Sequence, residues 1–280
     1  MRIAVVGGNG FIGTEFIKYV EGTGHEIVII ERDLDAFSQD GETAIKALLE
    51  GCDAMVFLAA KRPIGEFTMS EYNFNVSLAE RYFEFAKEIC LENVVITSSR
   101  SVYSSNDLPW SEDDFQTPLS LYGAAKQAVD SLALLYNSDN MKIKSLRLAQ
   151  VIGIGEHKGF LLNTLIDNAM AGKKQQIFGK GIGRRQYIYV KDVCDAIYHS
   201  ITAERYNSGI FNIGMKENVS IIELAETINK VFGNESGIEI LEDKPEDTKE
   251  YLMDVSKTER ELHWKPHFDL LGTFVDIRDN

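Results

Sequence analysis

The sequence contains little cysteine, little proline and no long hydrophobic run. Three cysteines (Cys52, Cys90 and Cys194) occur in 280 residues, odd in number and widely spaced. This argues against a disulfide framework and indicates a reducing compartment, so we expect a cytoplasmic protein. No uncharged apolar run approaches the ~20 residues that a membrane-spanning helix needs, and the N-terminus lacks a signal-peptide pattern. We therefore expect no membrane partner.

Basic residues are also scarce relative to acidic ones. The chain has 29 Lys and Arg against 43 Asp and Glu, a net charge of −14. Because nucleic acids and anionic membranes bind basic surfaces, we expect neither as a partner. Five scattered histidines without cysteine or carboxylate partners at ligand spacing predict no metal site. If the ligand carries phosphates, a local basic group must overcome the overall field.

Short apolar runs alternate with amphipathic stretches through the first half of the chain. The runs cover residues 2–6, 26–30, 54–58, 94–97 and 143–148. This alternation is typical of βαβ units, and it predicts an α/β fold with a Rossmann-type, doubly wound parallel sheet. After about residue 150 the elements shorten and glycine becomes frequent, which predicts a smaller α/β C-terminal substrate domain. The acidic residues 234–249 are expected to form a solvated loop.

A glycine-rich segment follows the first apolar run and precedes a helical stretch. Gly7, Gly10 and Gly13 have the spacing GxxGxxG, one residue different from the usual dinucleotide fingerprint. Such glycines allow a tight turn, close approach to a pyrophosphate and packing of the helix on the strand. The helix N-terminus then binds the anion. The motif predicts a dinucleotide site; a simple glycine-rich turn is the alternative.

The dinucleotide is predicted from the end of the second apolar run. Glu31 lies 18 residues after Gly13, where a carboxylate accepts hydrogen bonds from the ribose hydroxyls of NAD. Arg32, the next residue, would instead bind the 2′-phosphate of NADP. We favour NAD, and a solvated turn at 31–33 remains the non-functional alternative. With this cofactor, residues 1–150 and about 186–203 are assigned to an NAD-binding domain, and residues 151–185 and 204–280 to a substrate-binding domain.

A tyrosine and a lysine four residues apart provide the candidate chemistry. Tyr122 and Lys126 share one face if this segment is helical. A lysine ammonium beside a tyrosine hydroxyl stabilises the phenolate, which can take a proton from a substrate hydroxyl while hydride leaves the same carbon. Upstream, Thr97, Ser98 and Ser99 end an apolar run, and hydroxyls at the carboxyl end of a parallel strand face the ligand crevice. Ser99 is placed to bond that substrate hydroxyl; ordinary turn chemistry is the alternative.

Taken in order, these motifs resemble those of extended short-chain dehydrogenases/reductases, in particular the NAD-dependent nucleotide-sugar epimerase/dehydratase family. Besides the glycine loop, the matching segments are Phe-Leu-Ala-Ala at 57–60, Asn75-Val76, Ser98-Ser99 with Val102-Tyr103, Tyr122-x-x-x-Lys126, the run at 185–192, Phe-Asn-Ile-Gly at 211–214, Asp254-x-Ser256-Lys257 and Trp-Lys-Pro at 264–266. The resemblance covers nearly the whole chain.

The resemblance implies roles for individual residues. Ser99, Tyr122 and Lys126 would be the catalytic residues, with Tyr122 as acid/base. The implied cofactor-binding residues are Gly7, Asn9, Gly10, Phe11, Ile12, Gly13, Glu31, Arg32, Asp40, Leu58, Ala59, Ala60, Asn75, Thr97, Tyr122 and Lys126. Asp40 would contact the adenine, and Asn75 would lie near the ribose or nicotinamide. The implied substrate-binding residues are Ser99, Gln150 and Arg185.

Arg185 matches the family arginine that binds the substrate diphosphate, and with Lys180 and Arg184 it would form the local basic group. The sequence departs from the family at Gln150, Phe160 and Lys244, which replace Asn, Asn and Arg, so the sugar and the nucleotide stay open. The 4,6-dehydratases carry Asp-Glu where this chain has Ser98-Ser99, which argues against dehydration.

These observations predict an NAD-dependent nucleotide-sugar epimerase that acts at C4 through a transient 4-keto sugar. One alternative is an NAD(P)H-dependent reductase or dehydrogenase of a 4-keto nucleotide sugar or related carbonyl. Another is a dinucleotide-sensing protein without turnover. In the family, the helices that contain Tyr82 and Tyr122 often pair between subunits, so we also expect a possible homodimer.

Overall fold

The computed structural model describes residues 1–63, 65–105, 107–156 and 161–280. The strands are β1 (Arg2–Val6), β2 (Glu26–Ile30), β3 (Ala54–Phe57), β4 (Asn93–Ser99), β5 (Lys142–Leu148), β6 (Gln150–Ile152), β7 (Gln175–Phe178), β8 (Arg184–Tyr189), β9 (Gly209–Ile213), β10 (Asn218–Ser220) and β11 (Ile238–Leu241). The helices are α1 (Phe11–Val20), α2 (Gln39–Leu49), α3 (Met69–Glu88), α4 (Leu121–Tyr136), α5 (Leu161–Met170), α6 (Val190–Thr202), α7 (Ile221–Phe232), α8 (Ser256–Glu261) and α9 (Leu270–Asp279).

Six parallel strands form the main sheet, in the order β2-β1-β3-β4-β5-β9. The chain runs outward from β1 to β2 and then returns to the other side of β1 with β3. This reversal opens a crevice beyond the carboxyl ends of β1 and β3, where ligands bind in open α/β sheets. The predicted doubly wound, Rossmann-type sheet is confirmed.

Helices cover both faces of this sheet because its strands are apolar on both sides. Along β1, Ile3 and Val5 pack with α1 and α6, whereas Ala4 and Val6 pack with α2, α3 and α4. Successive side chains of a strand point to opposite faces, so a continuous apolar run buries a strand between two helical layers.

A smaller α/β part follows β5. It contains a three-stranded sheet ordered β10-β8-β6 and a parallel pair of β11 and β7. Its own apolar core includes side chains from α5, α7 and α9, among them Leu165, Leu224 and Phe274. This agrees with the predicted smaller α/β unit after residue 150.

The boundaries differ from the sequence assignment in two places. β9 lies in the main sheet beside β5, although residues 204–280 were assigned to the second domain. β8 lies in the three-stranded sheet, although about 186–203 were assigned to the first. The last four residues of each strand are buried, and burial alone does not indicate which sheet a strand joins.

The expected loop at 234–249 contains the strand β11, which pairs with β7. None of the four residues of β11 is fully buried, and Glu239 and Ile240 are exposed. Its apolar and charged residues alternate only over Ile238, Glu239 and Ile240, and so short a pattern within an acidic segment is a weak strand signal.

Candidate active site

The glycine loop closes against the turn that follows β3. Gly7 has a φ of +87°, and a Cβ there would lie 2.8 Å from the backbone nitrogen of Ala59. At Gly13, a Cβ would lie 2.4 Å from the carbonyl oxygen of Gly7. Gly10, the residue before α1, provides no side-chain cap for the helix. The uncapped helix N-terminus and the side-chain-free loop therefore fit a pyrophosphate.

The predicted ribose contact lies at the end of β2, close to the loop. The Nδ2 of Asn9 donates to Oε2 of Glu31 at 2.8 Å, and both residues are exposed. Arg32 beside them is exposed as well. The structure thus brings Glu31 to the glycine loop with acceptor oxygens facing solvent. Asp40 lies in the first turn of α2, and among the described hydrogen bonds and ion pairs none joins it to Glu31 or the loop.

Asn75 holds the segment after β3 in place. This buried residue of α3 accepts from the backbone nitrogen of Lys61 at 2.7 Å and donates to its carbonyl oxygen at 2.9 Å. At the start of the segment, the backbone nitrogen of Leu58 donates to the carbonyl oxygen of Val6 at 2.8 Å. Leu58, Ala59 and Ala60 are half-buried in this wall of the crevice. The amide of Asn75 is therefore occupied by backbone.

The three candidate catalytic residues lie at the carboxyl end of β4 and the first turns of α4. Lys126 is buried, and its Nζ donates to the carbonyl oxygen of Thr97 at 2.8 Å and lies 5.9 Å from the centroid of the Tyr122 ring. Tyr122 is half-buried, with its ring edge-to-face against Phe67 at 5.6 Å. Ser99 accepts from the backbone nitrogen of Ser101 at 3.1 Å. The ammonium of Lys126 is therefore fixed between the end of β4 and the ring of Tyr122, and Ser99 follows two residues after the carbonyl to which the ammonium donates.

Tight packing fixes α4 against the turn after β4. A Cβ at Gly123 would lie 2.2 Å from the carbonyl oxygen of Ser101, so only glycine lets the helix approach this closely. Farther along α4, the carboxylate of Asp130 accepts from Nε of Arg147 at 2.8 Å and from Oγ of Ser145 at 2.6 Å. These contacts join the helix to β5 inside the protein.

Apart from Ser99 at the end of β4, the predicted substrate residues lie in the second part of the fold. Arg185 of β8 forms an ion pair with Asp247 at 2.7 Å, and its guanidinium lies 4.4 Å from the centroid of the Tyr251 ring. Gln150 begins β6 and is opposite Tyr187 in the register of β6 and β8. Phe160 lies outside the described residues.

The predicted basic group of Lys180, Arg184 and Arg185 is not assembled as expected. Arg184 precedes Arg185 in a strand, so the two side chains point to opposite faces. The guanidinium of Arg184 forms an ion pair with Glu223 at 3.1 Å and donates a hydrogen bond to Asn218. Lys180 is exposed in the turn before β8.

Arg100 is the residue near Arg185 that the sequence analysis missed. Its guanidinium lies 4.3 Å from the centroid of the same Tyr251 ring. The signal was its position directly after Ser99, where a long cationic side chain begins next to a candidate catalytic hydroxyl.

Metal-binding clusters and membrane-spanning helices are both missing from the described part of the chain. In the ranges 1–63, 65–105, 107–156 and 161–280, no group of three or more His, Cys, Asp or Glu side chains is arranged to hold a metal ion. Within the same ranges, none of the helices combines the length and apolar character needed to cross a membrane.

Comparison with known proteins identifies the family. The sequence profile described as "NAD dependent epimerase/dehydratase family" matches residues 3–214. An uncharacterized protein of Methanocaldococcus jannaschii is 31% identical over 187 residues, which are 66% of this chain and 57% of that protein. The chain thus spans little more than half the length of that relative.

Solved structures agree over nearly the full length. A UDP-N-acetylglucosamine 4-epimerase from Bacillus cereus matches with a TM-score of 0.89 and 27% identity, covering 99% of this chain and 95% of that one. MoeE5 in complex with UDP-glucuronic acid and NAD matches with a TM-score of 0.85 and 25% identity, covering 100% and 99%. The resemblance stated from the sequence is confirmed: the chain belongs to the NAD-dependent epimerase/dehydratase family, the nucleotide-sugar branch of the extended short-chain dehydrogenases/reductases.

Proposed function

We propose that this protein is an NAD-dependent nucleotide-sugar 4-epimerase with Tyr122 as its acid/base. The observation that supports it most is the position of Lys126. Its ammonium is anchored on the carbonyl of Thr97 and lies beside the ring of Tyr122, at the strand end that carries Ser99. These three side chains lie at the carboxyl edge of the sheet, on the same edge as the glycine loop that fits a pyrophosphate.

The residues divide the proton chemistry among them. When bound, NAD supplies an acceptor for the hydride that leaves C4 of the sugar. Tyr122 takes the proton of the C4 hydroxyl, while Ser99 holds that oxygen by a hydrogen bond. Lys126 stabilises the phenolate by its positive charge. With the cofactor bound, return of the hydride to the other face of the rotated 4-keto sugar would be accompanied by Tyr122 giving the proton back to the oxygen, so no external oxidant would be consumed.

The two serines at the end of β4 favour epimerisation over dehydration. Loss of water from a 4-keto sugar needs an acid and a base that act on neighbouring carbons. This chain has two serines where the dehydratases carry Asp-Glu. Ser98 is buried, its hydroxyl has no hydrogen-bond partner among the described residues, and Ser99 bonds Ser101. Neither serine is a carboxylate that could take that role.

The relatives support the same cofactor and substrate class. One is a UDP-N-acetylglucosamine 4-epimerase, and another holds NAD together with a UDP-sugar. We therefore propose NAD rather than NADP, bound by the glycine loop and Glu31. The diphosphate of the nucleotide sugar would contact Arg185.

The test combines cofactor content with turnover. The purified protein is denatured, the released nucleotide is identified by mass, and UDP-, dTDP- and GDP-sugars are then followed by NMR for inversion at C4. Replacing a general acid/base typically costs about 10²–10⁴-fold in rate, so we expect Tyr122→Phe to lower kcat by that factor with unchanged NAD content.

Tyr136→Phe is the matched control, because Tyr136 ends the same helix and packs against Phe83, away from Lys126. It should keep full activity. Undiminished turnover by Tyr122→Phe, or release of NADP from the wild-type protein, would contradict the proposal.

A further inference from the structure

Arg100 is a partly buried cation without an acidic partner. Among the ion pairs of the described ranges none includes it, whereas Arg185 pairs with Asp247 at 2.7 Å. Burial lowers the pKa of Arg100 below its usual value; Tyr251 partly offsets this effect, and the positive charge of Arg185 adds to it. A cation that is removed from water and lies near a second cation is unfavourable unless an anion joins it.

The two guanidinium groups share one aromatic ring. Arg100 lies 4.3 Å and Arg185 4.4 Å from the centroid of Tyr251, whose hydroxyl bonds Asp247 at 3.2 Å. Two positive charges therefore lie against Tyr251, and the one carboxylate bonded to this group, that of Asp247, contacts Arg185 and the Tyr251 hydroxyl. Asp247 is exposed and is already bound to Arg185, so the unbalanced charge belongs to Arg100.

The turn that carries Arg100 is fixed beside the proposed catalytic residues. Arg100 directly follows Ser99, whose hydroxyl caps the short 3₁₀ turn Arg100–Val102. Within the same turn, the carbonyl oxygen of Ser101 lies against Gly123 at the start of α4. The side chain therefore begins next to the group that would hold the C4 oxygen, and it extends toward Tyr251 rather than into solvent.

We propose that Arg100 binds a carboxylate carried by the hexose, so that the substrate is a nucleotide-linked uronic acid. This inference rests on the proposed function, which places the sugar against Ser99 and its diphosphate against Arg185. A neutral hexose offers no charge to this partly buried guanidinium. A carboxylate on the ring does, and it matches the paired N–H groups of arginine.

The experiment measures binding in the Tyr122→Phe background, so that turnover does not enter. Calorimetry compares UDP, UDP-glucose and UDP-glucuronate with NAD bound. We expect UDP-glucuronate to bind the parent more tightly than UDP-glucose. Adding Arg100→Met should weaken UDP-glucuronate about 100-fold and UDP-glucose less than about threefold, because truncating one partner of a buried charge pair is costly. Arg100→Lys should fall in between.

Two further variants calibrate the result. Arg185→Met should weaken all three ligands by a similar factor, as expected for a diphosphate contact. Arg260→Met removes an exposed arginine of α8 and should change none of them. Thermal melting of each variant confirms that it folds.

Two outcomes would overturn the inference. One is that Arg100→Met weakens UDP, UDP-glucose and UDP-glucuronate equally, which would assign Arg100 to the diphosphate. The other is that the parent protein does not prefer UDP-glucuronate. Either outcome is compatible with C4 inversion of a neutral sugar, which would leave the proposed function intact. Conversely, a preference for UDP-glucuronate without C4 inversion would support the role of Arg100 and contradict the proposed function, so the two failures are distinguishable.

Discussion

The buried ion pair of Asp130 and Arg147 connects the helix that carries Tyr122 to β5 of the main sheet. Their side chains are 1% and 0% exposed and 2.8 Å apart. Asp130→Ala removes the only carboxylate bound to this guanidinium among the described residues, together with the hydrogen bond from Ser145. Removing one member of a buried pair costs about 3–5 kcal/mol, because the other charge is left uncompensated.

At about 2–4 °C of Tm per kcal/mol for a chain of this size class, Asp130→Ala should melt roughly 6–20 °C below the wild type. Urea unfolding followed by circular dichroism gives the free energy directly. The double variant Asp130→Ala/Arg147→Met removes both charges and should recover much of the loss.

The matched surface control is Glu26→Ala, which breaks the exposed pair with Arg2 at 3.0 Å. It should cost less than about 1 kcal/mol. If Asp130→Ala costs no more than Glu26→Ala, the buried pair does not stabilise this helix and the reasoning is refuted.

Three further predictions concern burial, the glycine loop and the wall of the crevice. Burial lowers the pKa of Lys144 to about 7, so the unfolded chain holds a proton that the folded one lacks above that pH. Wild-type stability relative to Lys144→Met should therefore rise from pH 7 toward pH 10, by at most about 1.4 kcal/mol per pH unit in urea unfolding; a constant difference would contradict this. Gly7→Ala should leave the purified protein without NAD, whereas Gly24→Ala, at a similar φ of +78° in open space, should keep it; equal NAD content in both would contradict the close packing of the loop. Asn75→Ala leaves the backbone N–H and carbonyl of Lys61 unpaired, and it should lower the free energy of unfolding in urea by about 1–3 kcal/mol. An unchanged urea midpoint would contradict this, because it would show that these two hydrogen bonds do not stabilise the fold.

The first five strands were predictable because each is a short, continuous apolar run. β1 and β2 match the predicted ranges. β3 and β5 each differ from the prediction by one residue, and β4 is longer by three. The glycine loop was also predictable, since Gly7 and Gly13 are at positions where a Cβ would meet backbone. Apolar runs and glycine spacing can be recognised because they involve residues that are close in sequence.

Long-range contacts were not predictable in the same way. Nothing in the residues of β9 indicates that it pairs with β5 rather than with the second sheet, because burial on both faces gives the same pattern in either place. Arg184 and Arg185 are neighbours in sequence, yet the alternation of a strand sends Arg184 to Glu223 and Arg185 to Asp247. The side chain near Arg185 comes instead from Arg100, which is far away in sequence.

The central claim, epimerisation at C4 with the hydride retained on the protein, is tested most directly by running the reaction in D2O. The nucleotide sugar is incubated with the purified protein, and the product is examined by NMR and mass spectrometry. The account predicts inversion at C4 without deuterium on any ring carbon, because Tyr122 exchanges only the hydroxyl proton. Deuterium at C4 or C5 of the product would contradict it, since carbon would then have exchanged its hydrogen with solvent.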